Sequence, residues 1–304
     1  MDSRLAAELE VGAAAEEAFV EHAYRLLLRR DPEPEARERD VAKLREGTLS
    51  RATLLAELSG AEEFARVRAL DDAVAFAAWA RSANERPRDL RAPPGDERPI
   101  EIPWCLSRYR PGQRLLDVGY AFAEPAYLAA LARLGAPEVV GVDLVPADVP
   151  GLRGVVADVR RLPFADGEFD VAVCISTLEH VGRDNRVYGL PAERDAEGLL
   201  TALRELRRVA RRLLLSVPTG ERQELDWLVQ LSPEEWLAAF ERAGFLVFEH
   251  EAYALGRDGW RSAPDFRPGG VHFAGDHASA VLCAELHPAT LGRRAREAAR
   301  RLRR

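Results

Sequence analysis

Two periodicities divide the chain. Over residues 15–82 the apolar positions recur at helical spacing, with no strand-like alternation. Val20, Tyr24, Leu27 and Leu28 stand at i, i+4, i+7 and i+8, one face of a helix. Asp31-Pro32-Glu33-Pro34 breaks it. A second helix is predicted over residues 35–45, stopping near Gly47, and Ser50 is placed to cap a third carrying Leu54, Leu55 and Leu58. Residues 59–64 read as a turn and restart, followed by an Ala-rich helix to Trp79. After residue 103 the pattern changes to short apolar runs at 115–118, 139–142, 154–158, 169–175, 212–218, 245–251 and 280–285, which predict seven strands. The fourth and fifth are uninterruptedly apolar, as strands buried on both faces are. Helical stretches alternate with them. Leu199, Leu203, Leu206 and Ala210 share one face, and Ser232-Pro233-Glu234-Glu235 has the form of a capping box ahead of Trp236 and Phe240. Such alternation implies an α/β fold with a doubly wound, mostly parallel sheet. Between the two regimes, Pro87, Pro93, Pro94, Pro99 and Pro103 crowd among charges and predict a linker. The expected organisation is a helical domain at 1–82, a linker at 83–103, an α/β domain at 104–288 and an Arg-rich tail at 289–304.

The α/β region is organised around residues 114–143. Leu115, Leu116 and Val118 form a strand ended by Gly119; Glu124-Pro125 opens a helix that Gly135 closes; a second strand ends at Asp143. A β-turn-α-β unit with glycine at its first turn and a carboxylate at the tip of its second strand suits a nucleoside-like cofactor, the acid facing the ribose hydroxyls. The dinucleotide fingerprint laid on Gly119 falls on Ala121 and Glu124, whose bulk and charge would oppose a pyrophosphate at the helix N-terminus. NAD therefore fits badly. Asp117, Gly119, Ala121 and Ala123 instead fall on an acid followed by G-x-G-x-G, with two glycines replaced by alanine. This resembles motif I of the class I S-adenosylmethionine (SAM) methyltransferases, and the succession D-V-G, V-D, A-D-x-x-x-L-P-F, F-D-V-A-V, S-T-L-E-H-V extends the resemblance in order through the domain.

The resemblance implies a Rossmann-like seven-stranded sheet in the order 3-2-1-4-5-7-6, with SAM as cofactor. By it, Gly119 and the turn after it, with Tyr120 and Ala121, face the methionine portion, Asp143 binds the ribose hydroxyls, Asp158 receives the adenine amino group with the Val159 backbone beside it, and Asp117, Leu144 and Ser176 also belong to the cofactor site. His180 is the candidate base for removing an acceptor proton. Its alternative is to close the SAM pocket. Glu179 is placed to orient the cofactor or His180, and Asp184 to act as an acceptor or as a ligand to a divalent metal such as magnesium, although no metal-specific spacing is present. Trp260, in a predicted loop at 256–260, offers a ring for stacking on a sugar, and His272 and His277 lie in a second loop able to reach a substrate. The stretch from Leu116 to Tyr127, the run 176–189 and the strand end at Pro218-Thr219-Gly220 resemble a bacterial group associated with polysaccharide genes. That implies O-methylation of a sugar hydroxyl on a glycan or related small molecule. The string from Phe19 to Ala36, with Gly47, Ser50 and residues 59–64, resembles a bacterial helical domain of unknown function related to phycobilisome linkers, implying docking to enzymes of surface-glycan assembly or simple packing. Two other classes remain open: a non-catalytic SAM-binding or docking module, and an NAD-dependent sugar oxidoreductase or epimerase.

Composition narrows partners. The net charge is −7, and the arginines of the last sixteen residues make the rest more acidic still, which argues against general nucleic-acid binding. That tail is either solvated or touches anionic lipid or an acidic partner. No membrane span or signal peptide is expected, and a cytoplasmic location follows as the expectation. Cys105, Cys174 and Cys283 match neither zinc nor disulfide spacing.

Overall fold

The structure, a computed structural model, describes residues 16–190, 194–265 and 278–289. His272, His277 and the Arg-rich tail beyond Ala289 lie outside the described residues. Two compact units divide between Asp72 and Ala73.

The first unit contains α1 (Glu16–Leu28), α2 (Pro34–Arg45), α3 (Arg51–Gly60) and the start of α4 (Glu62–Ser82). Its core is the predicted stripe: Phe19, Val20, Tyr24, Leu27 and Leu28 pack with Val41, Leu54, Leu55 and Leu58. Arg29, in the left-handed region at φ 59°, ends α1, and Pro34 opens α2 in its first turn, where its missing N–H costs nothing. Ser50 caps α3 by accepting the Thr53 N–H at 3.1 Å. The Tyr24 hydroxyl donates to buried Asp40 at 3.0 Å, so this core's one deeply placed acid is hydrogen-bonded.

The second unit is built on β1 (Leu115–Val118), β2 (Val139–Asp143), β3 (Arg153–Val156), β4 (Val171–Ile175), β5 (Leu213–Pro218), β8 (Phe245–Gly256), β9 (Gly259–Ser262) and β10 (Ala280–Pro288), in the order β3-β2-β1-β4-β5-β10-β8-β9. Its first five strands are parallel, and β10 inserts antiparallel between β5 and β8. This is the expected Rossmann-like order with one strand added at the edge. The four residues of β1, central in the sheet, are all buried, whereas edge strand β3 is largely exposed. A small hairpin, β6 (Gln223–Glu224) and β7 (Val229–Gln230), stands apart from the main sheet. The sheet is flanked by α5 (Arg98–Ser107), α6 (Pro125–Ala132), α7 (Gly198–Val209) and α8 (Pro233–Arg242). The capping box of α8 forms as predicted, with Ser232 and Glu235 bonding each other's backbone N–H, and Trp236 and Phe240 are fully buried.

Two expectations change. Residues 83–103 are not a free linker. Ala92 bridges to Trp260 beside β9, and α5 begins at Arg98. Pro99 occupies the helix's first turn and Pro103 forfeits one backbone bond, a loss offset by burying Ile100, Ile102, Trp104, Cys105 and Leu106. Trp260 is no loop residue either: it lies in β9, is 2 % exposed and donates its indole N–H to the Gly95 carbonyl at 3.0 Å. Buried in this way, it offers no ring to a sugar.

Candidate active site

Parallel strands leave a crevice at their carboxyl ends where the winding reverses, here between β1 and β4. A cleft of about 330 Å³ opens there, of the size that ordinary small-ligand sites have. Gly119 lines it at φ 87°, a conformation that favours glycine, and a Cβ there would lie 2.3 Å from the Thr177 hydroxyl. Asp143 ends β2 with both carboxylate oxygens anchored: one accepts the Leu144 N–H at 2.7 Å, the other the Ala121 N–H at 3.0 Å. Each oxygen keeps a lone pair for a ligand hydroxyl. The first turn thus holds the acid it was expected to work with. Val142, Leu144, Ala157, Val159 and Val181 supply apolar walls around this half of the cleft.

Asp158 also lines the cleft, with its carboxylate engaged by the Arg160 guanidinium at 2.6 Å; Arg160 in turn reaches Asp195 at 2.9 Å. Burial works to raise the Asp158 carboxyl, but the Arg160 bonds outweigh it and hold it below the usual carboxylate range. Asp117 lies deeper, 2 % exposed, and accepts a bond from the Tyr127 hydroxyl. Burial pushes it up to about 7, against the opposing Tyr127 bond.

At the other half of the cleft stand His180, Tyr188, Asn185, Phe122, Ser176 and Arg98. His180 Nδ1 lies 2.9 Å from the Trp227 carbonyl, and its ring stacks on the Trp227 ring at 5.2 Å. With Nδ1–H donating to that carbonyl, the lone pair sits on Nε2, 3.4 Å from the Tyr188 hydroxyl. Burial, with the Arg98 charge adding to it, lowers His180 to about 4 against the Trp227 bond, so the imidazole is neutral at pH 7. Glu179 does not line the cleft. It is buried behind His180, Oε1 3.8 Å from Nε2, and its Oε2 has no hydrogen-bond partner. Burial pushes Glu179 up to about 8.

Three other expectations are redirected. Tyr120 faces away from the cleft: its ring lies over Gly141 and Gly154, glycines that leave room for it, and its hydroxyl donates to the Ala147 carbonyl at 3.0 Å. Ala121 contributes its backbone N–H to Asp143 and does not itself line the cleft. Asp184 is taken by Arg186 at 2.5 Å, and among the described residues no group of three His, Cys, Asp or Glu side chains forms a metal site.

Residues that the sequence pattern did not single out complete the cleft. Arg98 and Ile102 come from α5, inside the stretch read as linker, and Trp227, which backs His180 without lining the cleft, comes from the β6–β7 hairpin. The apolar run Ile100-Glu-Ile-Pro-Trp-Cys-Leu, preceded by Pro99 at a first-turn position, was the available signal for α5.

Residues 116–212 match a family described as a methyltransferase domain, and residues 5–67 match a domain of unknown function, DUF4214. No curated protein matches the chain in sequence. Among solved structures, the Burkholderia thailandensis 1,6-didemethyltoxoflavin-N1-methyltransferase is 13% identical, covering 89% of this chain and 91% of its own, at TM-score 0.44. A SAM-dependent methyltransferase from Methanosarcina mazei is 14% identical over 60% of this chain and 94% of its own, at TM-score 0.40. Another, from Mesorhizobium loti, is 15% identical over 58% and 91%, at 0.38. No helix among the described residues is long and apolar enough to cross a membrane. Over residues 116–212, from β1 through α7 to the residue before β5, the chain matches that methyltransferase-domain family.

Proposed function

We propose that the chain is a SAM-dependent methyltransferase that O-methylates a sugar hydroxyl of a bacterial glycan or a related small molecule. The observation that carries the reading is the strand-end cleft itself. Gly119 turns sharply beneath it, Asp143 stands fixed at the tip of β2 with lone pairs free, and apolar side chains wall the space between Asp143 and Asp158. These residues fit SAM. Asp143 would accept from the ribose hydroxyls, Leu144 and Val159 would flank the adenine, and Asp158, retaining a lone pair beside its Arg160 pairing, would receive the adenine amino group. When bound, SAM supplies an electrophilic methyl group on sulfur.

The chain's own residues do the rest. Gly119 and Thr177 shape the floor, and the walls exclude water. His180 Nε2 would take the acceptor hydroxyl's proton, with Nδ1 held in one tautomer by the Trp227 carbonyl and Tyr188 bordering the same nitrogen. Glu179, behind the ring, would stabilise the imidazolium once ionised. The N-terminal unit would dock to enzymes of surface-glycan assembly, with the reaction in the cytoplasm; the linker-like sequence pattern supports the docking role.

Calorimetric titration with S-adenosylhomocysteine tests the cofactor reading. Micromolar binding is expected, lost in Asp143→Ala, with no response to NAD. Folded wild-type protein that binds neither would sink it. With a sugar acceptor in hand, His180→Ala should retain homocysteine-ligand binding while kcat falls about 10²- to 10⁴-fold; an unchanged kcat would reduce His180 to a pocket wall.

A further inference from the structure

Four carboxyl groups line the cleft: Asp117, Glu124, Asp143 and Asp158. Among the described lining residues, the cations are Arg98 and Arg160, and Arg160 is committed to Asp158 and Asp195. Arg98 is arranged differently. Its Nη1 bonds Glu101 Oε2 at 2.6 Å, and Ser176 Oγ donates to the other oxygen of the same carboxylate at 2.6 Å. Glu101, wholly buried, is thereby consumed in fixing Arg98 and Ser176 at one wall. The Arg98 side chain is itself 32 % exposed and lines the cleft, although α5 around it is buried. A guanidinium has five N–H donors in a rigid fork, and one bond to Glu101 leaves an edge for a second planar anion. Ser176 holds a left-handed backbone, φ 42°, a strained state for a non-glycine residue that its bond to Glu101 helps to maintain.

We propose that Arg98 is the receptor for a carboxylate group inside the cleft. This rests on the SAM reading above and adds a subsite contributed from outside the matched methyltransferase segment. With Arg160 committed to two carboxylates, Arg98 is the lining cation that presents donors to the cleft, so it fixes which way round a charged ligand lies. Glu97 and Glu179, both buried and both pushed up to about 8 chiefly by burial, are largely neutral at pH 7, so neither claims the Arg98 charge as Glu101 does through its direct bond. Two ligands can present the carboxylate: the methionine end of the cofactor, or an acidic acceptor such as a uronic acid.

Titration of the full chain with S-adenosylhomocysteine and with 5′-methylthioadenosine, which lacks the amino-acid portion, separates them. The variant is Arg98→Met combined with Glu101→Gln, so that no buried charge is left unpaired, and the reference is Glu101→Gln alone. A fall of roughly 10- to 100-fold for the homocysteine ligand with no change for methylthioadenosine supports the proposal and assigns the carboxylate to the cofactor. An unchanged homocysteine ligand, with glucuronate binding to the saturated reference protein and lost in the double variant, supports it and assigns the carboxylate to the acceptor. Equal losses of both nucleosides, or no loss and no glucuronate binding, overturn it. Should the double variant fail to fold, Arg98→Lys, which keeps the charge and loses the fork, should show a smaller loss confined to the same carboxylate ligand, and a loss shared with methylthioadenosine overturns the proposal. Wild-type protein that binds neither nucleoside overturns the cofactor reading, and this subsite with it.

Discussion

Gly119 and Glu179 show how single side chains set this site. A Cβ at Gly119 would press on Thr177 while the backbone is held at φ 87°. Gly119→Ala should therefore cost about 1–3 kcal/mol and weaken nucleoside binding. A denaturant midpoint equal to the wild type's would show that the turn relaxes freely. Glu179 carries a pH signature. Its folded pKa, about 8, lies above the unfolded carboxylate value of about 4.3, so between those values the folded state holds the extra proton. The stability this contributes is complete below the lower value and is lost as pH rises through the upper one. Glu179→Gln should accordingly flatten the decline in urea midpoint between pH 5 and pH 8; parallel slopes in the two proteins would place the proton elsewhere. Residues of this kind were only partly legible in sequence. Gly119 and Asp143 sit at a strand end and a strand tip, positions that alternation and punctuation mark. The direction of Tyr120 was not, because a residue following a turn can face the cleft or the sheet, and only the space left by Gly141 and Gly154 draws its ring inward.

Among the elements, α8 was the most legible, since its start depends on four consecutive residues. Ser232 accepts the Glu235 N–H at 3.2 Å, and Glu235 returns a bond from the Ser232 N–H at 2.9 Å. Ser232→Ala should destabilise the protein by about 1 kcal/mol, seen as a lower melting temperature; no change would mean that burial of Trp236 and Phe240 alone holds the helix start. Helix α5 was the least legible. Proline density argues against a helix locally, and the argument fails here because nearly every residue after Pro99 finds a buried partner: Trp104 donates to Glu251 at 2.7 Å, and the helix packs on β4, β5 and β10. Tertiary burial outweighs a one-bond backbone penalty. Strand β9 was missed for a related reason: Gly259-Trp-Arg-Ser is too short to show alternation and becomes a strand by pairing with β8.

Across the whole second unit, a buried ionic network ties the antiparallel edge together. Glu285 on β10 pairs with Arg86, with Arg212 at 3.6 Å and with His287 at 2.9 Å, while Arg108 bonds Glu249 on β8. Burial would raise Glu285, but the His287 bond and the two arginine charges hold it at about 2. A depressed carboxyl stabilises the fold above its unfolded value and loses that contribution as pH falls toward about 2. Glu285→Gln should therefore cost about 3 kcal/mol at pH 7, by stranding buried Arg212, and much less at pH 2.5. Equal losses at both pH values would show that packing, not charge, is at stake. By itself the sequence determined the helices and strands other than α5, β9 and the β6–β7 hairpin, their winding into a mostly parallel sheet, and the acids and glycine at the strand ends, because periodicity and turn chemistry are local. Only the tertiary structure decided that Arg98 reaches the cleft, that Trp227 fixes the His180 tautomer, that Trp260 is buried and that Asp184 is spent on Arg186. Those outcomes depend on which side chains from distant segments meet, and on the charge and space that each finds there.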